Sequence, residues 1–121
     1  MNCKAQRVEL IGQYLELVMR QGTDFEIAIE LFEDTPLEPP FDSTGYTARA
    51  HMTNDLKTRI EISATFAANV LTLSLAAAVT AQLRAGELHD TSGSYEWDCE
   101  FLQGSKVIPA FYGPVTVVKD I

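Results

Sequence analysis

The chain has 121 residues, of which 46% are hydrophobic and 21% are charged, and its net charge is −8. This length and composition are typical of one globular domain and exclude a disordered chain. The acidic excess repels phosphate backbones, so nucleic acid is not an expected partner. No apolar run approaches the roughly 20 residues of a membrane span, and the N-terminus lacks a signal-peptide core, so neither a membrane anchor nor secretion is predicted.

The N-terminal quarter of the chain predicts an arm followed by two strands. Residues 1–13 have mixed polarity without a clean period, and we interpret them as an arm that contacts other subunits, ahead of a domain over residues 14–121. Residues 14–20 and 25–32 alternate apolar and polar side chains, as strands with one buried face do. A glycine-containing bend separates these two predicted strands.

A loop and a turn precede the next strand. Residues 33–40 hold three prolines within five positions, which favours a loop because proline removes backbone donors. We expect this loop, over residues 33–42, to carry contacts between subunits. Asp42 to Gly45 have turn chemistry, and from Tyr46 the side chains alternate between two faces as far as Met52.

The middle of the chain predicts a hairpin and then a short helix. Residues 59–62 are interpreted as the strand that returns after a connection at residues 53–56, and residues 70–75 as a further strand. Leucine and valine then recur every fourth residue, so a helix of two to three turns is predicted up to residue 85. Ser74 is the expected N-terminal cap of this crossover helix.

The C-terminal part contains the clearest strand of the chain. Tyr95, Trp97, Cys99 and Phe101 alternate with polar or acidic residues, and residues 106–110 and 115–118 are predicted as two further strands. Seven to eight strands with one short helix are typical of an antiparallel, immunoglobulin-like β-sandwich. The predicted fold class is therefore all-β.

No catalytic residue, cofactor site or metal site is predicted. His89 and Asp90 with nearby Ser92 invite comparison with a catalytic triad, but neighbouring loop residues do not face each other as a base and its orienting carboxylate must. The chain is expected not to be an enzyme. Cys3 and Cys99 are the only cysteines, which favours synthesis in a reducing cytosol while leaving their pairing open.

Two further clusters have alternative interpretations. Glu96, Asp98 and Glu100 share one strand face and could bind a cation, although the wet face of a sandwich strand explains them more simply. A second, aromatic set could form a carbohydrate-binding platform. Tyr46 and Trp97 lie on strand faces assigned to the core and are better explained by packing. Phe111 and Tyr112 could be exposed. The members of this set are Tyr46, Trp97, Phe111 and Tyr112.

Several short segments, in order, carry a family resemblance. They are residues 20–25, 43–49, 71–75, 80–86, 95–98 and 113–117. Together they resemble the immunoglobulin-like N-terminal domain of tailed-phage baseplate upper proteins and related small phage tail proteins, over roughly residues 15–118. The resemblance implies a structural protein of the virion tail, made in the bacterial host cytoplasm, without enzyme activity.

The same resemblance implies partners and leaves the exact role open. An adaptor subunit that contacts the tail core, the fibres and copies of itself is the leading hypothesis. Because the sequence ends just after the predicted sandwich, without the linker of longer members, a fibre-holding role is less expected than a separate adaptor or decorating subunit. Capsid decoration and a carbohydrate-binding or adhesin-like module are the alternatives.

Overall fold

The computed structural model describes residues 2–8, for which only the backbone is considered, and residues 12–33, 39–54, 58–83 and 95–119. Nine strands and one helix lie within these ranges. They are β1 (Asn2–Val8), β2 (Gln13–Tyr14), β3 (Leu17–Arg20), β4 (Phe25–Glu33), β5 (Thr47–Thr53), β6 (Arg59–Ala67), β7 (Val70–Leu75), α1 (Ala77–Thr80), β8 (Tyr95–Gln103) and β9 (Lys106–Val118). No helix in the described part of the chain has the length and apolar character to cross a membrane.

The strands form one curled sheet whose two halves are joined by β6. Their order is β1-β4-β7-β6-β5-β8-β9-β2, and β3 also pairs with β9. The first part of β6 pairs with β5, and its second part, from Ser63 onward, pairs with β7. The sheet curls onto itself, because the Phe41 ring beside β4 lies 5.8 Å from the Phe101 ring of β8, four strands along the order. The all-β prediction is confirmed.

Parallel pairing at both ends of the sheet departs from the predicted antiparallel arrangement. β1 runs parallel to β4, and both β2 and β3 run parallel to β9. The strands between β4 and β9 are antiparallel to their neighbours. The all-β character agrees with the sequence-based prediction. The described residues form nine strands and not the predicted seven to eight, because β1 lies within the predicted arm and β2 and β3 replace one predicted strand. A specifically immunoglobulin-like topology is not supported.

The core fills the inside of the curl with side chains from both halves of the sheet. Alternate residues of β3, β4, β7 and β8 point inward, as their periodicity predicts. The Phe66 ring of β6 meets the Phe101 ring edge to face at 5.1 Å. The largest fully buried side chains in the described residues are Met19, Ile29, Leu31, Met52, Leu71, Leu73, Thr80, Cys99, Phe101, Val115 and Val117.

The last strand is longer than predicted and contains a bulge. Residues 106–110 and 115–118, predicted as two strands, belong to the single 13-residue β9. Cys99 pairs with Phe111 while Glu100 pairs with Pro109, so Ala110 is an extra residue on β9. Ala110 and Phe111 are therefore both buried. Before the bulge the even-numbered residues of β9 face inward, and from Phe111 onward the odd-numbered residues do.

The helix is shorter than predicted and is capped differently. Residues 74 and 75 belong to β7, and α1 has only four residues. Ala76 is the N-cap residue and forms no side-chain cap; instead, the backbone N–H of Ala77 donates to Asp24 Oδ1 at 2.8 Å. The two-to-three-turn helix and its Ser74 cap were wrong where the structure describes them, and residues 84–86 lie outside the described ranges.

The described residues of the predicted arm, 2–8, and of the end of the proline-rich loop, 39–41, lie against β4. Residues 2–8 pair with β4 over seven positions, and the boundary predicted at residue 13 falls inside β2. Within the loop, Phe41 N–H donates to the carbonyl oxygen of Leu31 at 3.0 Å, which returns the chain to β4. Residues 34–38 lie outside the described ranges. The role of both segments in subunit contacts stays a prediction.

The turn at Asp42 forms as its residue types predict. Thr44 N–H donates to Asp42 Oδ1 at 3.0 Å, and Gly45 has φ +81°. Hydrogen bonds from the side chain and then the backbone of Thr44 lower the pKa of the Asp42 carboxyl below its ordinary value. The Ser43 hydroxyl, in contrast, donates to the carbonyl oxygen of Ala68 and ties this turn to the β6–β7 hairpin.

Candidate docking surface

The outer face of the sheet carries a row of polar and aromatic side chains across five strands. Strand register places Glu61, His51, Asp98, Tyr112 and Tyr14 side by side on β6, β5, β8, β9 and β2. Side chains at such paired positions lie close enough to interact. The row therefore brings together residues that are up to 98 positions apart in the sequence.

Ion pairs neutralise some of the carboxylates on this face but not all of them. Arg49 Nε lies 2.9 Å from Glu100 Oε1, and Arg59 Nε lies 2.9 Å from Glu61 Oε1. Asp98 Oδ1 lies 3.1 Å from His51 Nδ1 and has no other partner in the described residues. No arginine or lysine pairs with Asp98 in the described part of the chain.

A groove of about 540 Å³ opens on the outer face between these side chains. Its acidic side is formed by Glu96 and Asp98, and its aromatic side by Tyr14 and Tyr112. The two tyrosine rings meet edge to face with centroids 5.9 Å apart. We call this feature the acidic groove; His51, Thr53, Trp97, Gly113 and Pro114 complete its lining.

Four large hydrophobic side chains are exposed at the same end of the sheet. Tyr14 and Val18 lie on β2 and β3, and Tyr112 and Val118 lie on β9. Between 41% and 62% of each side chain is exposed. We call these four residues the edge patch. Exposed apolar side chains gathered in one place indicate a contact surface more strongly than scattered ones do.

The structure separates the residues of the predicted aromatic platform. Trp97 and Phe111 are buried and stack on each other with centroids 6.2 Å apart. Trp97 Nε1–H donates to the carbonyl oxygen of Leu15 at 2.8 Å. Tyr46 packs against the core, and only Tyr112 is well exposed. Phe111 does not join Tyr112 at the surface, because the bulge turns Phe111 inward.

The other candidate clusters do not assemble into a metal site in the described residues. Glu96, Asp98 and Glu100 do lie on one face, but Glu100 is held by Arg49. The described part of the chain contains no group of three or more histidine, cysteine, aspartate or glutamate side chains placed to hold a metal ion. His89, Asp90 and Ser92 lie outside the described residues, so the triad comparison stays untested.

Cys99 is a free thiol on the inward face of β8. Burial, followed by the negative charges of neighbouring Asp98 and Glu100, raises the pKa of the thiol to about 12. A neutral, buried thiol is a poor nucleophile and a poor metal ligand, because both roles need the thiolate. Cys99 therefore acts as a small core side chain.

No family model and no curated protein matches the chain. Among solved structures, the fold is similar to the N-terminal domain of phage TP901-1 ORF48, with a TM-score of 0.56 and 12% sequence identity. The likeness covers 98% of this chain and 99% of that domain. At this identity the comparison establishes a shared fold across the whole of both chains and does not by itself assign a function.

Sequence reasoning did not identify Tyr14 as a surface residue. Its position at the start of an alternating run makes it resemble an ordinary strand residue, and only the parallel pairing with β9 places it beside Tyr112. The position of Tyr14 in the alternating pattern was one available signal of its exposure. The buried residues Leu15, Leu17 and Met19 occupy odd-numbered positions and Tyr14 an even-numbered one, so strand alternation alone assigns Tyr14 to the outer face.

Proposed function

We propose that this protein is a structural subunit of the tail of a tailed bacteriophage, located at the baseplate and docked to neighbouring chains through the edge patch. The observation that carries the proposal is the full-length likeness in fold to a domain of a phage protein. The ordered sequence segments that resemble baseplate upper proteins point to the same class. The first line of support rests on backbone shape and the second on short sequence segments.

An adaptor role suits the features of the molecule. A subunit that joins other chains needs a rigid core, which the curled sheet provides, and exposed surface at sheet edges. The edge patch lies on β9 and on the β2 and β3 segments at one end of the sheet. Copies of this chain and other tail proteins are the proposed partners.

The absence of enzyme activity is part of the proposal. Two described groups that could act as nucleophile or base are engaged: the Cys99 thiol is buried, and His51 Nδ1 lies 3.1 Å from Asp98 Oδ1. Alanine substitution at His89 and Asp90 is expected to leave particle assembly unchanged. Loss of a measured enzymatic activity in that variant, with the fold retained, would overturn this part.

The location of the subunit is tested on purified particles. Mass spectrometry of particles from the phage or prophage that encodes the chain is expected to detect it, and electron microscopy is expected to place its density at the distal tail. Density on the head would support capsid decoration instead. Absence from particles, together with binding of the isolated chain on a glycan array, would support a carbohydrate-binding module.

The edge patch is tested by a matched pair of substitutions. Val18→Lys places a charge in the patch, whereas Val107→Lys places the same charge at a comparably exposed position on β9 outside the patch. We expect Val18→Lys to reduce incorporation into particles and Val107→Lys to leave it unchanged, because a charge is costly in a desolvated contact. Equal incorporation of the two folded variants would exclude the patch as a docking surface.

A further inference from the structure

We propose that the acidic groove receives an arginine or lysine side chain from a segment of another protein chain. The inference rests on the proposed function only in identifying that chain as a tail protein. The binding site itself follows from the charge and shape of the groove. It would make the groove a specific electrostatic contact beside the apolar edge patch.

The distribution of charge points to a cationic occupant. Two carboxylates line the groove, and no arginine or lysine does. Elsewhere on this face the carboxylates of Glu100 and Glu61 are each held by an arginine at 2.9 Å. The acidic charge left without an arginine or lysine partner on these strands is therefore concentrated at Glu96 and Asp98, where a guanidinium or ammonium group would form charge-assisted hydrogen bonds.

The aromatic side of the groove suits the same occupant. Tyr14 and Tyr112 are 62% and 51% exposed, and their edge-to-face contact leaves ring surface open to the groove. A cation above a tyrosine ring is attracted by the ring's quadrupole, and the stem of an arginine or lysine packs on aromatic carbon. Tyrosine is also enriched among the residues that dominate protein interfaces.

The groove continues into the edge patch, which favours a protein chain as the source of the cation. Tyr14 and Tyr112 belong to both surfaces, so an extended segment could place its basic side chain in the groove and apolar side chains along β9. A free metal ion fits less well, because a hard cation needs about six oxygen ligands and the groove presents two carboxylates beside an imidazole.

The test uses the full chain, labelled with nitrogen-15 and followed by two-dimensional amide NMR. The probe is a tri-arginine peptide with blocked ends, and its matched control is tri-citrulline, which keeps the shape and removes the charge. We expect tri-arginine to shift the amide signals of Tyr112, His51 and Asp98, and the shifts to weaken as salt is added. Tri-citrulline is expected to cause no shifts at these positions.

Matched variants separate the groove from the overall charge. Glu96→Gln with Asp98→Asn removes two groove carboxylates, whereas Glu26→Gln with Glu33→Gln removes two exposed carboxylates from β4. The Glu96→Gln, Asp98→Asn double variant is expected to weaken tri-arginine binding by roughly tenfold, and the β4 double variant is expected to have little effect. If the first pair fails to fold, Tyr112→Leu provides the test, with an expected loss of roughly threefold.

Three results would overturn the proposal. The first is equal amide shifts with tri-arginine and tri-citrulline, and the second is no shifts at the groove with tri-arginine. The third is equal weakening of tri-arginine binding in the two double variants. A fourth result, shifts at the groove with N-acetylchitotriose but not with tri-arginine, would replace it with a saccharide site. Since all these measurements use the isolated chain, their failure is distinguishable from failure of the chain to appear in phage particles.

Discussion

Gly113 of β9 lies against the backbone of Leu15, in the segment that joins β2 and β3. A Cβ atom at this position would overlap the carbonyl oxygen of Leu15 and lie 3.0 Å from its carbonyl carbon. A backbone hydrogen bond holds the two segments together at this point, because Leu15 N–H donates to the carbonyl oxygen of Tyr112 at 2.9 Å. The backbones can approach this closely only because residue 113 has no side chain.

Substitution at Gly113 is expected to be costly for a steric reason. Gly113→Ala should lower the free energy of unfolding by about 2–3 kcal/mol, since the overlapping atom is backbone and cannot rotate away. The measurement is urea denaturation followed by tryptophan fluorescence. Gly104→Ala is the control: residue 104 has φ +58° and no atom within 4 Å of the added Cβ, so only about 1 kcal/mol of backbone strain is expected. Equal losses would contradict the steric explanation.

The buried thiol predicts a dependence of stability on alkaline pH. The folded-state pKa of Cys99 is raised from 9.0 to about 12. Below pH 9 the thiol is neutral in both states, and its contribution to stability is fully present. As the pH rises from 9 toward 12, the unfolded state gains by releasing the proton, so the free energy of unfolding should fall.

The direct measurement is comparison of Cys99→Ser with the unsubstituted chain across this pH range. The serine variant should lose the part of the alkaline decline that comes from the thiol. In addition, Cys99 should resist a thiol reagent at pH 8 in the native protein and react after unfolding in urea. Rapid modification of Cys99 in the native protein would contradict the buried, neutral thiol.

At the scale of the elements, α1 is held by side chains that are remote in sequence. Asp24 accepts a hydrogen bond from the helix N-terminus, and Thr80 Oγ1–H donates to the carbonyl oxygen of Thr23 at 2.7 Å. Gln21 Nε2–H donates to the carbonyl oxygen of Leu83 at 2.8 Å. A helix of four residues is not stable alone, so these contacts with the β3–β4 bend determine where it forms.

The remote cap predicts an asymmetry between two substitutions. Asp24→Ala should lower the free energy of unfolding by about 1 kcal/mol, because the Ala77 N–H loses its acceptor. Ser74→Ala should change it by less than about 0.5 kcal/mol, since this side chain lies on the outer face of β7 and caps nothing. Thermal unfolding of both variants gives the comparison, and a larger loss for Ser74→Ala would sink the assignment of Asp24 as the cap.

The bulge in β9 decides which of its later side chains face outward. Alternation counted from Ile108 and Ala110 would place Tyr112 inside and Phe111 outside, and the extra residue at Ala110 reverses this. Tyr112 thereby becomes an outer-face side chain beside Asp98 and Tyr14. The acidic groove and half of the edge patch depend on that change of phase.

At the scale of the whole molecule, the described core and the pairing of β1 involve different parts of the chain. All the buried side chains that the structure describes lie between Leu15 and Val117. The backbone of β1 pairs with β4 at seven positions. β1 lies at one end of the strand order, and the edge patch lies at the other end.

Deletion of residues 1–12 tests the proposed contact role of the N-terminal segment. We expect the shortened chain to fold, because the described core stays intact, and its incorporation into particles to fall. Circular dichroism and gel filtration check folding and association of the isolated chain, since removal of β1 exposes the edge of β4. Wild-type incorporation of the folded variant would count decisively against the contact role.

The sequence by itself determined the all-β character and the inner and outer faces of most strands. Alternation in β3, β4, β5 and β8 is a local property with a period of two, and each buried face has the residues that the core needs. The turn at Asp42 and the glycine at residue 45 were also readable, because their conformations depend on neighbours two residues away.

Only the tertiary structure decided which strands pair and which outer-face residues meet. The parallel pairing of β2 with β9, the bulge at Ala110 and the cap from Asp24 each join positions far apart in the chain. Periodicity contains no information on such pairings, which follow from how the whole curl packs its core. For that physical reason the strands were predictable from sequence, and the acidic groove between Tyr14, Tyr112 and Asp98 was not.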